Sequence, residues 1–535
     1  MVTQYGIKLA VSVISSHFGD LVSKVCECLL RKGTLSLAEL VRYTELQNNQ
    51  VKNCLLVLIQ HNCVQPFSVQ KDGGFGVAPK VVTQYTVLFD NILHRLRFSK
   101  FLAIVSEELD KECEELLEAL LQHGRLTLEQ ITQRAQSISK QNDWSTAVQD
   151  ALRESFVRLV NARYVERCPD PEPFIAPPDE DAPSSGKPGS KAAKLAKRTA
   201  PTVEQQAITA AAPLESKRFA IMTDTGPDAG GEEMAGQTPH TKLGEKRKYG
   251  ELEMDRETMG TIFVKEVLWR TNFEAFMRRL RHKACVLNVM ARLDDGAGTV
   301  LNALLEATKN AENKVKTENS VPLPMDTILE EVMKSEKGRT MTLERVRAAL
   351  SQLGCHHTTR GADESCYSID LRSIIDNAQN MEVESIVLKR YGREAYRIFR
   401  FLSKTGQLAE TDKIADTTFV EKKEIVKILY NLWKDSFLHM EKILSHGTKQ
   451  SQFLLWKVNK SSVWKTILDQ MWHAALNLSQ RVAYELEKEH EILQLPREKR
   501  VGAQGVRFER IRRVKILLES SLMKLDDALM LFHDF

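Results

Sequence analysis

The chain has 535 residues, of which 42% are hydrophobic and 27% charged, and its formal net charge is +4. This balance is typical of globular proteins, and the length predicts roughly three to five domains. The small net charge excludes a global positive field, so any nucleic-acid contact must come from local patches.

Neither the apolar runs nor the cysteines indicate an export route. No apolar run approaches the ~20 residues that span a bilayer, and residues 1–10 lack the pattern of a secretory signal. The nine cysteines are an odd number without the spacing of a disulfide framework. Reduced thiols in the cytosol or nucleus are therefore expected.

One loose pattern recurs four times: an amphipathic helix, a short extended link with a leucine, a short helix, a longer helix and then a strand-like run. The first copy has helices at residues 18–31, 37–43 and 48–60, with Ser36 as the cap of the short helix and a strand at 64–69. Lys71-Asp72-Gly73-Gly74 is a hairpin turn signal. Three helices followed by a β-hairpin indicate a winged helix.

The remaining copies follow in order along the chain. Their predicted helices lie at residues 113–123, 128–136 and 145–161, then at 279–293, 326–334 and 342–353, and finally at 393–404, 411–415 and 419–435. Four copies with the same order of signals favour a repeated module. An irregular all-helical scaffold is the alternative interpretation.

Residues 169–260 differ in composition, because they contain few large apolar side chains. Such a segment is predicted to be disordered, as an insertion in the wing of the second module, with residues 264–270 as the returning strand. It carries basic residues that are candidate nuclear-localisation elements or non-specific nucleic-acid contacts: Lys191, Lys194, Lys197, Arg198, Lys246, Arg247 and Lys248. Solvating charge in a linker is the alternative.

The last part of the chain is predicted to be an antiparallel helical hairpin. Residues 461–495 and 511–532 each carry one narrow apolar stripe, and Pro496, Gly502 and Gly505 break the run between them. The tip is basic, with Arg497, Lys499, Arg500, Arg507 and Arg510. The hairpin either closes on itself as a coiled coil or also docks to another body.

The predicted fold is therefore mainly α with small β wings: four tandem winged-helix domains followed by a C-terminal antiparallel helical hairpin (coiled coil). The boundaries are 1–100 for the first winged helix and 101–168 for the second, whose wing is completed by 261–272. The disordered basic insertion is 169–260, the third and fourth winged helices are 273–371 and 372–459, and the hairpin is 460–535.

Catalytic and cofactor motifs are missing from the sequence. It contains no phosphate loop, no G-x-S-x-G and no H-E-x-x-H. Cys355, His356, His357 and Cys366 could supply four zinc ligands, but they lie on two predicted wing strands rather than in paired knuckles. We therefore expect no enzymatic activity, no cofactor and no metal.

The longer helices of the modules, which read DNA in many winged helices, carry charges of both signs. Their candidate contacts to DNA or a partner are Lys52 and Asn53 in the first copy, Arg345 and Arg347 in the third, and Lys422, Lys423 and Lys427 in the fourth, with Arg497, Lys499 and Arg500 at the hairpin tip. Acidic residues among them favour protein docking or loose backbone contact over sequence readout.

Several stretches together resemble a known family. They are Ile7-Lys8-Leu9, His17-Phe18-Gly19, Val57-Leu58-Ile59-Gln60-His61-Asn62, Phe156-Val157-Arg158-Leu159, Val165-Glu166-Arg167-Cys168-Pro169, Leu268-Trp269-Arg270-Thr271-Asn272 and Arg397-Ile398-Phe399-Arg400. With the order of modules, they resemble the large winged-helix subunit of the RNA polymerase III-specific initiation heterotrimer.

The resemblance implies a non-catalytic subunit in the nucleus that supports promoter opening. Its implied partners are a smaller winged-helix subunit, an acidic subunit, the clamp of the largest subunit and the initiation factor complex, with weak, sequence-tolerant DNA binding. Two alternatives are a winged-helix DNA-binding regulator outside the polymerase and a helical scaffold subunit of another large complex.

Overall fold

The computed structural model describes residues 3–71, 80–139, 146–175, 202–221, 267–309, 311, 314–360, 364–445, 451–496 and 500–535. These residues are mainly helical, with four small sheets of three or four strands each. Each sheet and the helices around it are called a unit below. Among the described helices, none combines the length and apolarity that crossing a membrane requires.

Unit 1 is the N-terminal group of helices and its sheet. It contains α1 (Gln4–Phe18), α2 (Asp20–Lys32), β1 (Leu35–Ser36), α3 (Leu37–Thr44), α4 (Asn48–Gln60), β2 (Val64–Lys71), β3 (Lys80–Val87) and α5 (Phe89–His94). The helix α3 begins at the predicted cap, where the backbone N–H of Ser36 donates to the Glu39 carboxylate at 2.8 Å. Strand β3 pairs antiparallel with both β1 and β2. The predicted turn at residues 72–74 lies outside the described residues.

Unit 2 closes its sheet with a strand from beyond the insertion. It contains α6 (Phe98–Glu108), α7 (Lys111–His123), β4 (Leu126–Thr127), α8 (Leu128–Ser139), α9 (Thr146–Asn161), β5 (Val165–Arg167) and β7 (Leu268–Thr271). Strand β7 pairs antiparallel with β5, with Val165 opposite Thr271, and with β4 on its other side.

The prediction that residues 169–260 are disordered is wrong for two described parts of that segment. Strand β6 (Phe174–Ile175) pairs in parallel with β2 of unit 1, and α10 (Val203–Ala211) and α11 (Glu215–Arg218) are helices. Ala207 and Ile175 are buried against Phe67, which gives these parts a small apolar core of their own. Burial against unit 1 offsets the ordering entropy that the segment's composition alone does not offset.

Units 3 and 4 share one order of elements. Unit 3 contains α12 (Phe273–Arg292), α13 (Asp295–Ala307), β8 (Leu323–Pro324), α14 (Met325–Lys334), α15 (Leu343–Gln352), β9 (His356–Arg360) and β10 (Glu364–Ser368). Unit 4 contains α16 (Leu371–Thr405), β11 (Ala409–Glu410), α17 (Thr411–Thr418), α18 (Lys422–Lys434), β12 (His439–Ser445) and β13 (Ser451–Lys457). The backbone of α16 leaves helical geometry at Gly392, whose φ is +85°, just before the predicted helix start at Arg393.

The last helices form two long arms whose base lies among the units. They are α19 (Lys460–Lys488), α20 (His490–Gln494) and α21 (Ala503–His533), and α19 packs along α21 and against α1. Near the end of α21, Leu529 belongs to the apolar core that joins units 1 and 4, and Met530 to the core of unit 2. Leu531 packs against the core of unit 3. The base of the arms therefore connects three cores.

Candidate interfaces of the tandem units

The predicted contact residues lie on three separate helices. Lys52 and Asn53 are exposed on α4, Arg345 and Arg347 are exposed on α15, and the three lysines of the fourth copy are exposed on α18. Lys422 Nζ lies 3.0 Å from Asp412 Oδ1. Because these helices belong to different units, the structure does not bring the candidates together into one site.

Arg500, a candidate contact at the hairpin tip, is partly buried and makes contacts within the hairpin. Its Nε donates to the Leu495 carbonyl at 2.8 Å and its Nη2 to the Leu493 carbonyl at 3.2 Å, and its guanidinium lies 4.0 Å from the Phe508 ring centroid. These contacts satisfy carbonyls at the end of α20, so Arg500 closes the turn of the hairpin. Arg497 and Lys499 lie outside the described residues.

The rest of the hairpin tip is both basic and apolar. Arg507 pairs with Glu489 at 2.8 Å, and Arg510 is exposed. Val501 and Val506 near the tip are 75% and 69% exposed. A tip with exposed valines beside arginines is suited to protein contact at least as well as to nucleic acid. The candidate nuclear-localisation residues, from Lys191 to Arg198 and from Lys246 to Lys248, lie outside the described residues.

The geometry does not strengthen the zinc hypothesis. Cys355 is partly buried, and burial raises the pKa of its thiol to about 12. Cys366 is buried, and the side chains of His356 and His357 lie outside the described part of the chain.

Another group of potential metal ligands is explained by ion pairs. The ligand atoms of Asp90, His533 and Asp534 lie within 4.8 Å of one another. His533 Nε2 is 3.0 Å from Asp90 Oδ1, and Asp534 Oδ2 is 2.8 Å from Arg97 Nη2. A guanidinium already balances the buried carboxylate of this group, which is unfavourable for a cation.

A buried arginine connects the first interunit linker to the end of the chain. Arg97, which is 1% exposed, places Nε 3.0 Å from Asp526 Oδ1 and pairs with Asp534 as well. Lys100 Nζ lies 2.7 Å from the second oxygen of Asp526. Burial, followed by the charge of Arg97, lowers the pKa of His94 to about 3, so a neutral His94 ring faces the guanidinium at 3.2 Å. We call these residues the Arg97 cluster.

A second charged group joins units 2 and 3. The Glu108 carboxylate accepts hydrogen bonds from Tyr164 Oη at 2.6 Å and Lys309 Nζ at 2.5 Å, and it also pairs with Arg279. Burial alone would raise the pKa of Glu108, but these cationic and hydroxyl donors lower it overall. Because Arg279 and Lys309 belong to unit 3, the ionised Glu108 holds α12 and α13 against unit 2.

The insertion supplies a third charged contact. Glu166 on β5 is 2% exposed and pairs with Arg218 of α11 at 2.5 Å and with Arg270 of β7 at 2.8 Å. At the other end of the described insertion, Glu172 accepts hydrogen bonds from Ser68 and Thr83 on the wing of unit 1. The ordered parts of the insertion thus contact the sheets of units 1 and 2.

Sequence reasoning missed all three groups. Their partners are far apart in the chain, as with Arg97 and Asp526, which are separated by 429 positions. The sequence gives only a weak sign that Arg97 is buried. Arg97 and Lys100 are two positive charges that stand among apolar residues. In the residues described, the buried charges hold units together, and the exposed surfaces remain the candidates for function.

Helices followed by a small antiparallel sheet are the layout of the winged helix, a class of domain that often binds macromolecules. Family models agree with that class. Residues 8–68 match the RNA polymerase III subunit RPC82 helix-turn-helix domain, residues 154–380 match RNA polymerase III subunit RPC82, and residues 383–458 match the POLR3C C-terminal winged-helix domain.

Similar proteins point to the same family along nearly the whole chain. The chain is 23% identical over 503 residues to DNA-directed RNA polymerase III subunit RPC3 of Homo sapiens, and the match covers 92% of this chain and 86% of the relative. The subunit rpc3 of Dictyostelium discoideum is 22% identical, with 99% of this chain and 100% of the relative covered. These matches support a POLR3C-like subunit, similar to the RPC82/RPC3 subunits of RNA polymerase III.

Proposed function

We propose that the chain is a non-catalytic structural subunit of DNA-directed RNA polymerase III that supports promoter opening and transcription initiation in the nucleus. The observation that carries the proposal is the agreement of three family models, in chain order, with units 1 to 4. We further propose that each unit is one winged-helix domain. The expected partners are the smaller winged-helix subunit, the acidic subunit, the clamp of the largest subunit and the initiation factors.

The hairpin is proposed as one of the surfaces that hold the chain on the polymerase. Its base is buried among the units, whereas the arms near residues 480–520 are largely exposed. At 1.5 Å per residue, each arm is about 40 Å long. A partner that covers the exposed valines and faces Arg510 would remove apolar surface from water and pair charges.

Co-purification is expected to recover the polymerase with the tagged full-length chain and to depend on the hairpin tip. Replacing Arg510 at the tip and Arg513, which is exposed on the next turn of α21, with glutamate should lower the recovery several-fold at raised salt, because contacts between exposed charges are screened. Folding should change little, since exposed charges contribute about 0–1 kcal/mol to stability. The measurement is the yield of polymerase subunits across a salt series.

The control variant for this experiment replaces Arg372 and Arg390, two exposed cations of α16 in unit 4, with glutamate. It should recover the polymerase at the wild-type yield. If the tagged wild-type chain recovers no polymerase subunits and elutes as a small species, the chain acts outside the polymerase. Unchanged recovery of the hairpin variant would exclude the tip as a docking surface.

DNA binding by the isolated chain is expected to be weak, salt-sensitive and tolerant of sequence. Arg345 and Arg347 are the strongest candidates for phosphate contact, because both are exposed on α15 of unit 3. Replacing both with glutamine should lower the slope of log affinity against log salt by about 2. Titrations of promoter and scrambled duplexes at several salt concentrations measure this slope.

Arg372→Gln is the matched control for that titration. Arg372 is also an exposed arginine, at the start of α16, but its guanidinium pairs with the Glu318 carboxylate at 2.6 Å. It should leave the slope unchanged. A large preference for one duplex at physiological salt would instead favour the alternative of a sequence-specific regulator.

A further inference from the structure

The helix α18 of unit 4 carries a second apolar face that points to solvent. On α18, Ile425, Leu429 and Leu432 are buried, as expected for the core side of an amphipathic helix. Val426 and Tyr430, however, are 55% and 54% exposed, and Trp433 is 39% exposed. We call Val426, Tyr430 and Trp433 the α18 stripe.

The α18 stripe is continuous along one side of the helix. Its residues are separated by four and three positions, which places neighbouring side chains one helical turn apart. The rings of Tyr430 and Trp433 lie with centroids 5.7 Å apart. Phe419, in the turn before the helix, is 90% exposed. A run of large exposed apolar side chains of this kind is typical of an interaction surface.

A row of lysines borders the α18 stripe. Lys423, Lys427 and Lys434 are exposed, and their separations of four and seven place them along one edge of the same helix. Lys422 does not belong to this row, because it pairs with Asp412 of α17. In the part of the chain that the structure describes, the row places three positive charges beside the apolar side chains.

This surface is poorly suited to reading duplex DNA. Base edges in the major groove present donors, acceptors and the thymine methyl, which polar side chains read through hydrogen bonds. The corresponding helix of unit 1 is more polar, with Asn49, Lys52 and Asn53 exposed beside a single exposed leucine, Leu56. On α18 the central positions are instead valine, tyrosine and tryptophan, which favour protein partners.

We propose that α18 binds an amphipathic helix of a partner protein whose apolar face is edged by carboxylates. The first and last residues of the α18 stripe are seven positions apart, or about 10 Å, which matches apolar anchors at positions i, i+4 and i+7 of a second helix. The lysine row then faces the acidic edge, so the charges determine which partner and which orientation are accepted. This contact does not depend on membership in the polymerase.

Two synthetic helical peptides of about 20 residues test the proposal with the full-length chain. Both carry leucines at i, i+4, i+7 and i+11, and they differ only in having glutamates or lysines along one edge. Fluorescence anisotropy should show that the glutamate peptide binds about tenfold more tightly, because only it faces the lysine row with opposite charge.

Variants of α18 separate the contributions of the apolar stripe and the lysine row. Tyr430→Ala should lower the affinity for the glutamate peptide at least about fivefold, because aromatic anchors contribute most of the binding energy. The double variant Lys423→Glu/Lys427→Glu should reverse the preference toward the lysine peptide. Tyr484→Ala removes an aromatic side chain on α19 that is similarly exposed, at 53%. This control should leave the affinity for both peptides unchanged.

Three results would overturn the proposal. The first is equal binding of the two peptides to the wild-type chain. The second is displacement of the peptides by single-stranded oligothymidylate with a loss of oligonucleotide binding in Tyr430→Ala, which would assign the stripe to base stacking. The third is self-association of the wild-type chain that Trp433→Ala abolishes, which would assign the stripe to a second copy.

Discussion

Replacing Arg97 with methionine is expected to destabilise the packing of α21 against the first linker by about 3–5 kcal/mol. The substitution keeps most of the apolar volume but leaves the Asp526 and Asp534 carboxylates buried without the guanidinium that faces them at 3.0 Å and 2.8 Å. Uncompensated buried charge is costly because the interior solvates ions poorly. Lys100, which is also close to Asp526, keeps the loss at the lower end of this range.

Hydrogen exchange measured by mass spectrometry reports this loss locally, which suits a chain of several units that need not unfold in one step. Peptides from the C-terminal half of α21 should exchange about a hundredfold faster in Arg97→Met, since about 1.4 kcal/mol corresponds to tenfold. The exchange rate of peptides from the strands of unit 3 should change least, because these strands contact the Arg97 cluster only through other residues.

Arg372→Met is the matched control, because it breaks an ion pair between side chains that are 65% and 72% exposed. Exposed pairs contribute about 0–1 kcal/mol, so exchange around Arg372 should barely change. Equal effects of the two substitutions would mean that water reaches the Arg97 cluster and that the end of α21 does not hold the units together.

The Arg97 cluster also illustrates what local sequence patterns cannot predict. Helix periodicity and capping use neighbours three or four positions apart, and they located α3, α7 and α15 within a few residues of their observed bounds. A buried ion pair between Arg97 and Asp526 involves no local pattern, because each residue alone looks like an exposed charge on an amphipathic helix.

Two other elements of the structure were missed by the sequence patterns, each for a specific reason. The winged-helix pattern does not predict α1, because this helix precedes the pattern, although Leu9, Val13 and Ile14 have helical spacing. The order of α10 was not predicted because its buried residues are alanines, Ala207 and Ala211, and small side chains give little apolar signal. Their burial depends on Phe67 of a distant unit.

Some of the candidate interaction surfaces can be located from the sequence, and others cannot. Exposed Lys52, Arg345 and Lys427 could be located from the sequence, because charged residues on an amphipathic helix point away from its apolar face. The α18 stripe could not be located from the sequence. Val426 and Tyr430 beside Ile425 and Leu429 suggest only a helix that is buried on most of its surface. Three-dimensional packing shows which of these apolar residues the neighbouring helices cover.

The contact between units 1 and 2 leads to the second large expected effect, at Gly124. This residue ends α7 with a φ of +84°, and an added Cβ would lie 2.1 Å from the Gln60 carbonyl oxygen. The same carbonyl accepts a hydrogen bond from the Arg125 backbone N–H at 3.0 Å, and the Gln60 side chain donates to the Arg125 carbonyl at 2.5 Å. Backbone of the two units therefore meets where no side chain fits.

Gly33 is the matched control, because it ends α2 of unit 1 at the same point of the repeated pattern with a φ of +83°. A Cβ at Gly33 would meet only Glu204 Oε1, at 3.9 Å. Alanine at either position strains the backbone by about 1–3 kcal/mol. Only at Gly124 must the units also separate, which loses two or three hydrogen bonds of about 1 kcal/mol each.

Gly124→Ala is therefore expected to cost about 2–3 kcal/mol more than Gly33→Ala, which is the contribution of the hydrogen bonds between the units. Differential scanning calorimetry of the full-length chain should show the first unfolding transition several degrees lower in Gly124→Ala than in Gly33→Ala. The Arg125 side chain adds to the loss, because its Nε donates to Asn62 Oδ1 at 2.9 Å across the same contact. Equal transition temperatures would show that only the glycine conformation matters and that units 1 and 2 do not meet at Gly124.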